Sequence, residues 1–198
     1  MDTTPLRDAY RALLDAAGTV ADDSAAPPAG EWNVDQVLAH VSLVSAATIA
    51  TAARVAAAEN TTYDNHLAQD AWTIDRVVAL AGGTAGLQER IRLQGEALCA
   101  FGGAALSEAE LDTPVPALLL SHGKVLVDQP LRLRDILSGL AEGELPGHTN
   151  QLLALRPGTS AEATGYRTCG ARCKRRRSCP LRSYSQATPS SSRSSFAR

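Results

Sequence analysis

The chain has 198 residues and a formal net charge of −2; 44% of it is hydrophobic but only 4% is aromatic. That length accommodates one domain with an appendage, and a core built from Ala, Leu and Val suits closely packed helices and speaks against a sheet sandwich. The sum of charges hides a division, because residues 1–160 carry 20 acids and 10 bases, net −10, whereas residues 161–198 carry one acid and nine bases, net +8.

Thr4 and Pro5 make a cap and first-turn pair, and Leu6, Tyr10, Leu13, Leu14, Ala17 and Val20 then trace one helical face, which predicts helix one to about Asp22. Pro27 and Pro28 cannot continue it, so residues 23–30 form a loop that delivers Trp32 to the end of the helical assembly. Helix two runs from about Val34 to Glu59. Asn33 can accept from backbone N–H groups of its first turn, Gln36 can reach back as in a capping box, and Asp35 places an acid where the helix dipole favours one. Val37, Val41 and Val44 follow at helical spacing, and His40 lies between them, so its ring points into the apolar face. Residues 36–53 form the longest uncharged stretch, but they include His, Ser and Thr and fall short of a bilayer span. Met1-Asp2 opens without a basic segment ahead of an apolar run, so no leader is expected and the cytoplasm is the expected compartment.

Residues 60–70 read as a polar crossing, a plain loop in preference to the mouth of a pocket. Helix three starts near Thr73 and resumes after Gly82-Gly83, where a bend or a close helix contact is expected. The run Gly82-Gly-Thr-Ala-Gly86 does not read as a phosphate loop, since no strand precedes it and no Lys follows. Ser107 caps a short turn, and Val115 to Leu120 and Val125 to Val127 then flank Ser121-His122-Gly123-Lys124 as a small hairpin or flap that Pro130 stops. Helix four runs from about Arg132 to Arg156, with a kink expected at Pro146-Gly147.

Glu144 and His148 stand four apart, hence on one face of helix four, and that face is again apolar. Two helices that turn such side chains toward a shared core can supply three ligands, His40, Glu144 and His148. Three protein ligands with one open position describe a catalytic zinc-type site. The bland reading stands beside it: a core histidine hydrogen-bonded to a neighbour, a solvated helix acid, and a histidine meeting the helix dipole. No Ser-His-Asp grouping can be assembled, and Cys99 sits among helix residues, so the sequence assigns no catalytic side chain.

From about Gly165 no apolar pattern survives, and residues 161–198 are expected to form a disordered Arg/Ser/Cys-rich tail. Cys169, Cys173 and Cys179 lack a paired C-x2-C and a fourth ligand, which argues against a zinc knuckle. The cluster from Arg172 to Arg177 can touch nucleic acid only nonspecifically. Such a composition is what out-of-frame translation of a high-GC gene produces, and the tail is read as carrying no selected function.

The run Gly30-Glu-Trp-Asn-Val-Asp-Gln-Val-Leu-Ala-His40-Val, the Tyr63-Asp64-Asn65 crossing and the late Glu144-Leu-Pro-Gly-His148-Thr-Asn-Gln-Leu152 resemble the DinB-like superfamily, in particular the N-terminal metal-binding domain group of mycothiol-dependent maleylpyruvate isomerases. The resemblance spans residues 5–156. It implies an all-α, DinB-like four-helix bundle over residues 1–160 and a divalent metal, zinc or nickel, held by His40, Glu144 and His148. Pro146-Gly147 between the last two departs from the family pattern, and the second domain of the full isomerase has no counterpart here. The activity implied is that of a thiol S-transferase or cis–trans isomerase: the metal takes a low-molecular-weight thiol such as mycothiol, and the thiolate attacks an electrophilic substrate. The alternative is a non-catalytic metal- or small-ligand-binding helical protein whose flap at residues 121–124 closes a pocket. Small molecules are the expected partners; no membrane is implied, and association as a homodimer is compatible with either reading.

Deleting residues 165–198 should leave helix content and Tm nearly unchanged, because the tail offers too little apolar surface to pack on a core. A fall of more than about 5 °C in a thermal melt, roughly 1 kcal/mol for a domain of this size, would show instead that it docks.

Overall fold

In the computed structural model the described residues are 1–20, 26–27, 30–121 and 123–156. The end expected for helix one at Asp22, His122 at the hairpin tip and the whole basic tail with Cys169, Cys173 and Cys179 lie outside them. Helix α1 (Thr4–Val20) starts where the Asp2 carboxylate accepts from the Thr4 N–H at 2.9 Å, so Asp2 serves the first turn that Thr4 was expected to cap. Its buried face, Leu6, Tyr10, Leu13, Ala17 and Val20, follows the predicted spacing.

Helix α2 (Val34–Ala56) opens with the predicted capping box: Gln36 N–H donates to Asn33 Oδ1 at 2.9 Å and Asn33 N–H to Gln36 Oε1 at 3.1 Å. Asp35, also in the first turn, accepts from the Thr84 hydroxyl at 2.6 Å and so ties this end of α2 to a later helix. Five consecutive residues from Val37 to Val41 are buried, as expected of a helix packed on several sides. By length and composition α2 could cross a membrane, with a mean hydropathy of 1.4, but 61% of that window is buried inside this structure. It ends before its predicted limit, with Ala58 in the left-handed region at φ 55°.

Two residues of β1 (Tyr63–Asp64) and a 3-10 turn (His66–Gln69) fill the polar crossing, after which Asp70 caps α3 (Ala71–Ala81) by accepting from the Thr73 N–H. The predicted third helix is in fact two. Gly82 at φ 77° and Gly83 at φ 92° leave helical space altogether, and α4 (Thr84–Ala100) starts anew. A Cβ on Gly86 would overlap the Ala81 carbonyl oxygen, so glycine there lets the end of α3 lie against the first turn of α4. After a π turn (Phe101–Ala105), the short α5 (Glu108–Leu111) has its own capping box from Ser107 and Glu110.

The expected hairpin is present and is extended by β1 into a small sheet, so the chain is mostly helical and not all-α. Strand β2 (Pro114–Ser121) pairs antiparallel with β3 (Lys124–Arg132) and parallel with β1, in the order β1-β2-β3. Pro130 does not stop β3 because it lies opposite Pro116 on an edge strand, beyond the reach of β1, where no further ladder needs the missing N–H. The register is irregular between Leu119 and Leu120, and there the Asn65 side chain takes the place of a strand: its Nδ2 donates to Leu120 O at 3.0 Å and its Oδ1 accepts from Leu120 N at 2.8 Å.

The last helical rod runs through α6 (Leu133–Gly139), a π turn (Leu140–Glu144) and α7 (Leu145–Ala154). Pro146 was expected to kink one continuous helix. Instead the Leu145 N–H reaches back five residues to Leu140 O, and Pro146 falls in the first turn of α7, where no N–H is required. The described residues are thus mostly helical with one small sheet, with α1 packed on α7 and α4, and α2 on α4 and α3.

Where α1 meets α4, a Cβ on Gly95 would lie 2.9–3.2 Å from the Tyr10 ring, whose hydroxyl is fixed by a 2.7 Å hydrogen bond with Ser45. Alanine would improve helix propensity by about 1 kcal/mol, but forcing a methyl into a pinned contact costs about 1–3 kcal/mol. Gly95→Ala should therefore lower Tm. Gly18→Ala on α1, with nothing near its Cβ, should raise it, and equal increases for both would contradict this packing.

Candidate metal centre

His40 reaches the site from α2, and Glu144 and His148 reach it from either side of the junction between the second π turn and α7. The helix pitch puts Glu144 and His148 on one face, and the π turn gives them their rotation relative to α6. Glu144 Oε1 lies 2.9 Å from His40 Nε2 and 3.3 Å from His148 Nε2, and one ligand atom from each residue lies within 4.8 Å of the others. The sequence-predicted trio is thus brought together in space.

The rings are oriented from behind. His40 Nδ1 is 2.6 Å from the Ala68 carbonyl oxygen; a carbonyl only accepts, so Nδ1 carries a proton and Nε2 is the atom turned to Glu144. His148 Nδ1 donates in the same way to Gln151 Oε1 at 2.9 Å, which turns its Nε2 toward the same carboxylate oxygen. The two Nε2 atoms and the carboxylate oxygen converge: Glu144 accepts from a ring whose Nε2 is protonated, and a metal ion would take the place of such protons. The outer hydrogen bonds are those that orient imidazoles bound to a metal. Zinc bonds of about 2.0–2.2 Å require ligand atoms roughly 3.3–3.6 Å apart, so a bound ion would need the widest pair to close by about an ångström and the 2.9 Å pair to open by about half an ångström.

Trp32 covers the cluster, its ring centroid 4.8 Å from that of His40 and 6.5 Å from that of His148. The three ligand side chains stand in the wall of a cavity of about 770 Å³ that Tyr63, Asn65 and Gln69 also line. The polar crossing is therefore the mouth of a pocket and not a plain loop. Tyr63 is buried, and its hydroxyl is held up at about 12 by burial and the Glu144 charge against a hydrogen bond with Thr48, so it stays protonated near neutrality.

Burial pushes the Glu144 carboxyl up, but hydrogen bonds from His148 and His40, together with their charge, outweigh it and hold the group at about 2. Burial presses the His148 imidazolium down, while the hydrogen bond and charge of Glu144 and the contact with Gln151 raise it on balance. Elsewhere, His66 pairs with Asp64 at 2.7 Å on the exposed surface, away from the trio. Cys99 is half-buried among helix residues, and burial pushes its thiol up, which leaves it a poor nucleophile. Sequence reasoning missed two supports. Gln151 carried a signal, being three residues beyond His148 on its own helix; the Ala68 carbonyl carried none.

Without metal, the Glu144–His148 pair should stabilise the fold most between about pH 4.5 and 6.5. The depressed Glu144 contributes above its unfolded value of 4.5 and is lost as pH falls toward 2, and the raised His148 contributes below 6.5 and is lost as pH rises through its folded value. Thermal melts of metal-free protein across pH should show this maximum, flattened in Glu144→Gln. Metal displaces the same proton, so zinc affinity measured calorimetrically should rise with pH by up to about tenfold per unit until His148 is neutral. An affinity that stayed flat from pH 5 to 7 would remove the trio from consideration as ligands. Comparison with protein-family models, curated proteins and solved structures gives no match to this chain.

Proposed function

We propose that the protein is a metal-dependent, thiol-utilising enzyme, a mycothiol-type S-transferase or an isomerase of the maleylpyruvate kind, built on a DinB-like four-helix bundle. In that reading the bundle consists of α1, α2, α4 and the rod 133–154. The observation that carries the proposal is the convergence of His40 Nε2, Glu144 Oε1 and His148 Nε2 on one point in the wall of a cavity.

The donor set fits a divalent ion such as zinc or nickel: two imidazoles with fixed tautomers and one carboxylate that stays ionised at neutral pH. Bound there, the ion would lower the pKa of a thiol in its open position so that a thiolate is available at neutral pH. The remaining work belongs to the chain. His40, anchored through Ala68, cannot swing away from α2, and Gln151 fixes His148, so the open side faces the cavity. Trp32 excludes water from one side, and the protonated Tyr63 hydroxyl is a hydrogen-bond donor in the lining. Among the described residues no side chain of the lining is an activated nucleophile, which is why the thiol must come from a second molecule. In an isomerase the thiolate adds to a conjugated double bond, rotation follows and the thiol leaves; in a transferase it stays attached.

The same fact supports a second reading, a non-catalytic metal- or small-ligand-binding protein, because every polar contact of the trio is also a good structural contact. Turnover separates the two. Untagged full-length protein, a deletion of residues 165–198 and His148→Ala should be compared for zinc content and for thiol-dependent consumption of the electrophile, with maleylpyruvate and with an uncharged conjugate acceptor. The enzyme reading expects about one divalent ion per chain, activity retained by the deletion, and inactive but folded His148→Ala. Equal background consumption by all three would leave the non-catalytic reading in place.

A further inference from the structure

The cavity walls carry a charge pattern that bears on which electrophile the site accepts. Its charged lining side chains are Glu31, Asp135 and Glu144, and no lysine or arginine among the described residues lines it. The nearest guanidinium in sequence, Arg132, donates from Nε to Asp135 at 2.9 Å and is thereby committed. The lining amides are also engaged: Asn65 and Gln69 with Leu120, Gln151 with His148. The rest of the wall is largely aliphatic, with Val44, Leu119, Leu131, Ile136 and Leu140 deep and Leu126 at the exposed rim, 67% exposed.

A metal at the trio can accept one carboxylate. A second carboxylate would find no lysine or arginine among the described lining residues, would face Glu31, and would lose its hydration against aliphatic side chains. We infer that the electrophile accepted by this cavity is uncharged and apolar, of the α,β-unsaturated ketone class, and that polycarboxylates such as maleylpyruvate are disfavoured. This rests on the thiol-enzyme reading and narrows it toward S-transfer. The step balances without a redox partner. The thiolate electron pair forms the bond from sulfur to the β-carbon, the C=C π bond breaks, and its electrons take up at the α-carbon one proton, equal to the one the thiol released.

The test separates binding from turnover. Zinc-loaded full-length protein is titrated calorimetrically with benzylacetone, an uncharged saturated ketone, and with benzylsuccinate, a dianion of similar skeleton. Benzylacetone should bind at least about tenfold more tightly. Leu126→Arg supplies a cation at the rim, where folding does not depend on the side chain, and should raise the ratio of benzylsuccinate to benzylacetone affinity at least about tenfold. Wild-type protein that binds benzylsuccinate as tightly as benzylacetone, or a ratio unmoved by Leu126→Arg, would overturn the inference. Thiol-dependent consumption of the electrophile is measured in parallel with benzalacetone and maleylpyruvate. Faster consumption with benzalacetone supports the inference, and faster consumption with maleylpyruvate overturns it while leaving the thiol-enzyme reading intact. Preferential benzylacetone binding with no consumption of either electrophile overturns the thiol-enzyme reading and retains the charge selectivity of the cavity.

Discussion

A buried imidazole whose Nδ1–H is committed to a backbone carbonyl is the constraint from which the rest of this structure follows. With Nδ1–H committed to Ala68, His40 turns Nε2 to the interior, and the interior answers with a carboxylate 2.9 Å away. A second imidazole, His148, meets the same carboxylate oxygen, and a tryptophan lies over the group. Magnitudes agree: two imidazole partners outweigh the burial of Glu144 and keep it ionised.

The fold works to keep that point fixed. The capping box starts α2 seven residues before His40, so the register of the ring is set by hydrogen bonds at Asn33 and Gln36 and by the Asp35–Thr84 contact with α4. Ala68 belongs to a short 3-10 turn, which would drift if left alone. It is held because Asn65 and Gln69, on either side, both bond to the Leu120 backbone of the sheet. The hairpin that the sequence announced, joined by β1, therefore has a place in the site: it secures the segment whose carbonyl orients His40.

Much of the site could be read from the chain because it is written in helical periods. His40 lies within a run of valines, and Glu144 and His148 are one turn apart, so three residues separated by a hundred positions fall on two inward faces by arithmetic. Capping at Asn33 and Ser107 was likewise a local matter of side chain and backbone. What escaped was non-local or backbone-borne. Strand β1 is two residues long and exists only because β2 lies beside it. The break at Gly82-Gly83 was visible as two glycines, but their choice of positive φ over a bent helix depends on how α3 meets α4. Pro130 and Pro146 were both given more disruptive power than they have, since one found an edge strand and the other the first turn of a helix.

The π turn at 140–144 is in effect an α-helix with one residue too many. Each residue of an α-helix advances the face by about 100°, so removing one residue there would regularise the hydrogen bonds of the rod while turning His148, and everything beyond it, away from α2. The chemistry of the rod is thus held by its residue count as much as by its residue types. A chain with all three ligands intact and one amino acid fewer between Leu140 and Glu144 would keep the composition of the centre and lose the centre itself. Among related sequences, the spacing from Leu133 to His148 would therefore be a more searching mark of this site than the presence of a histidine at either end.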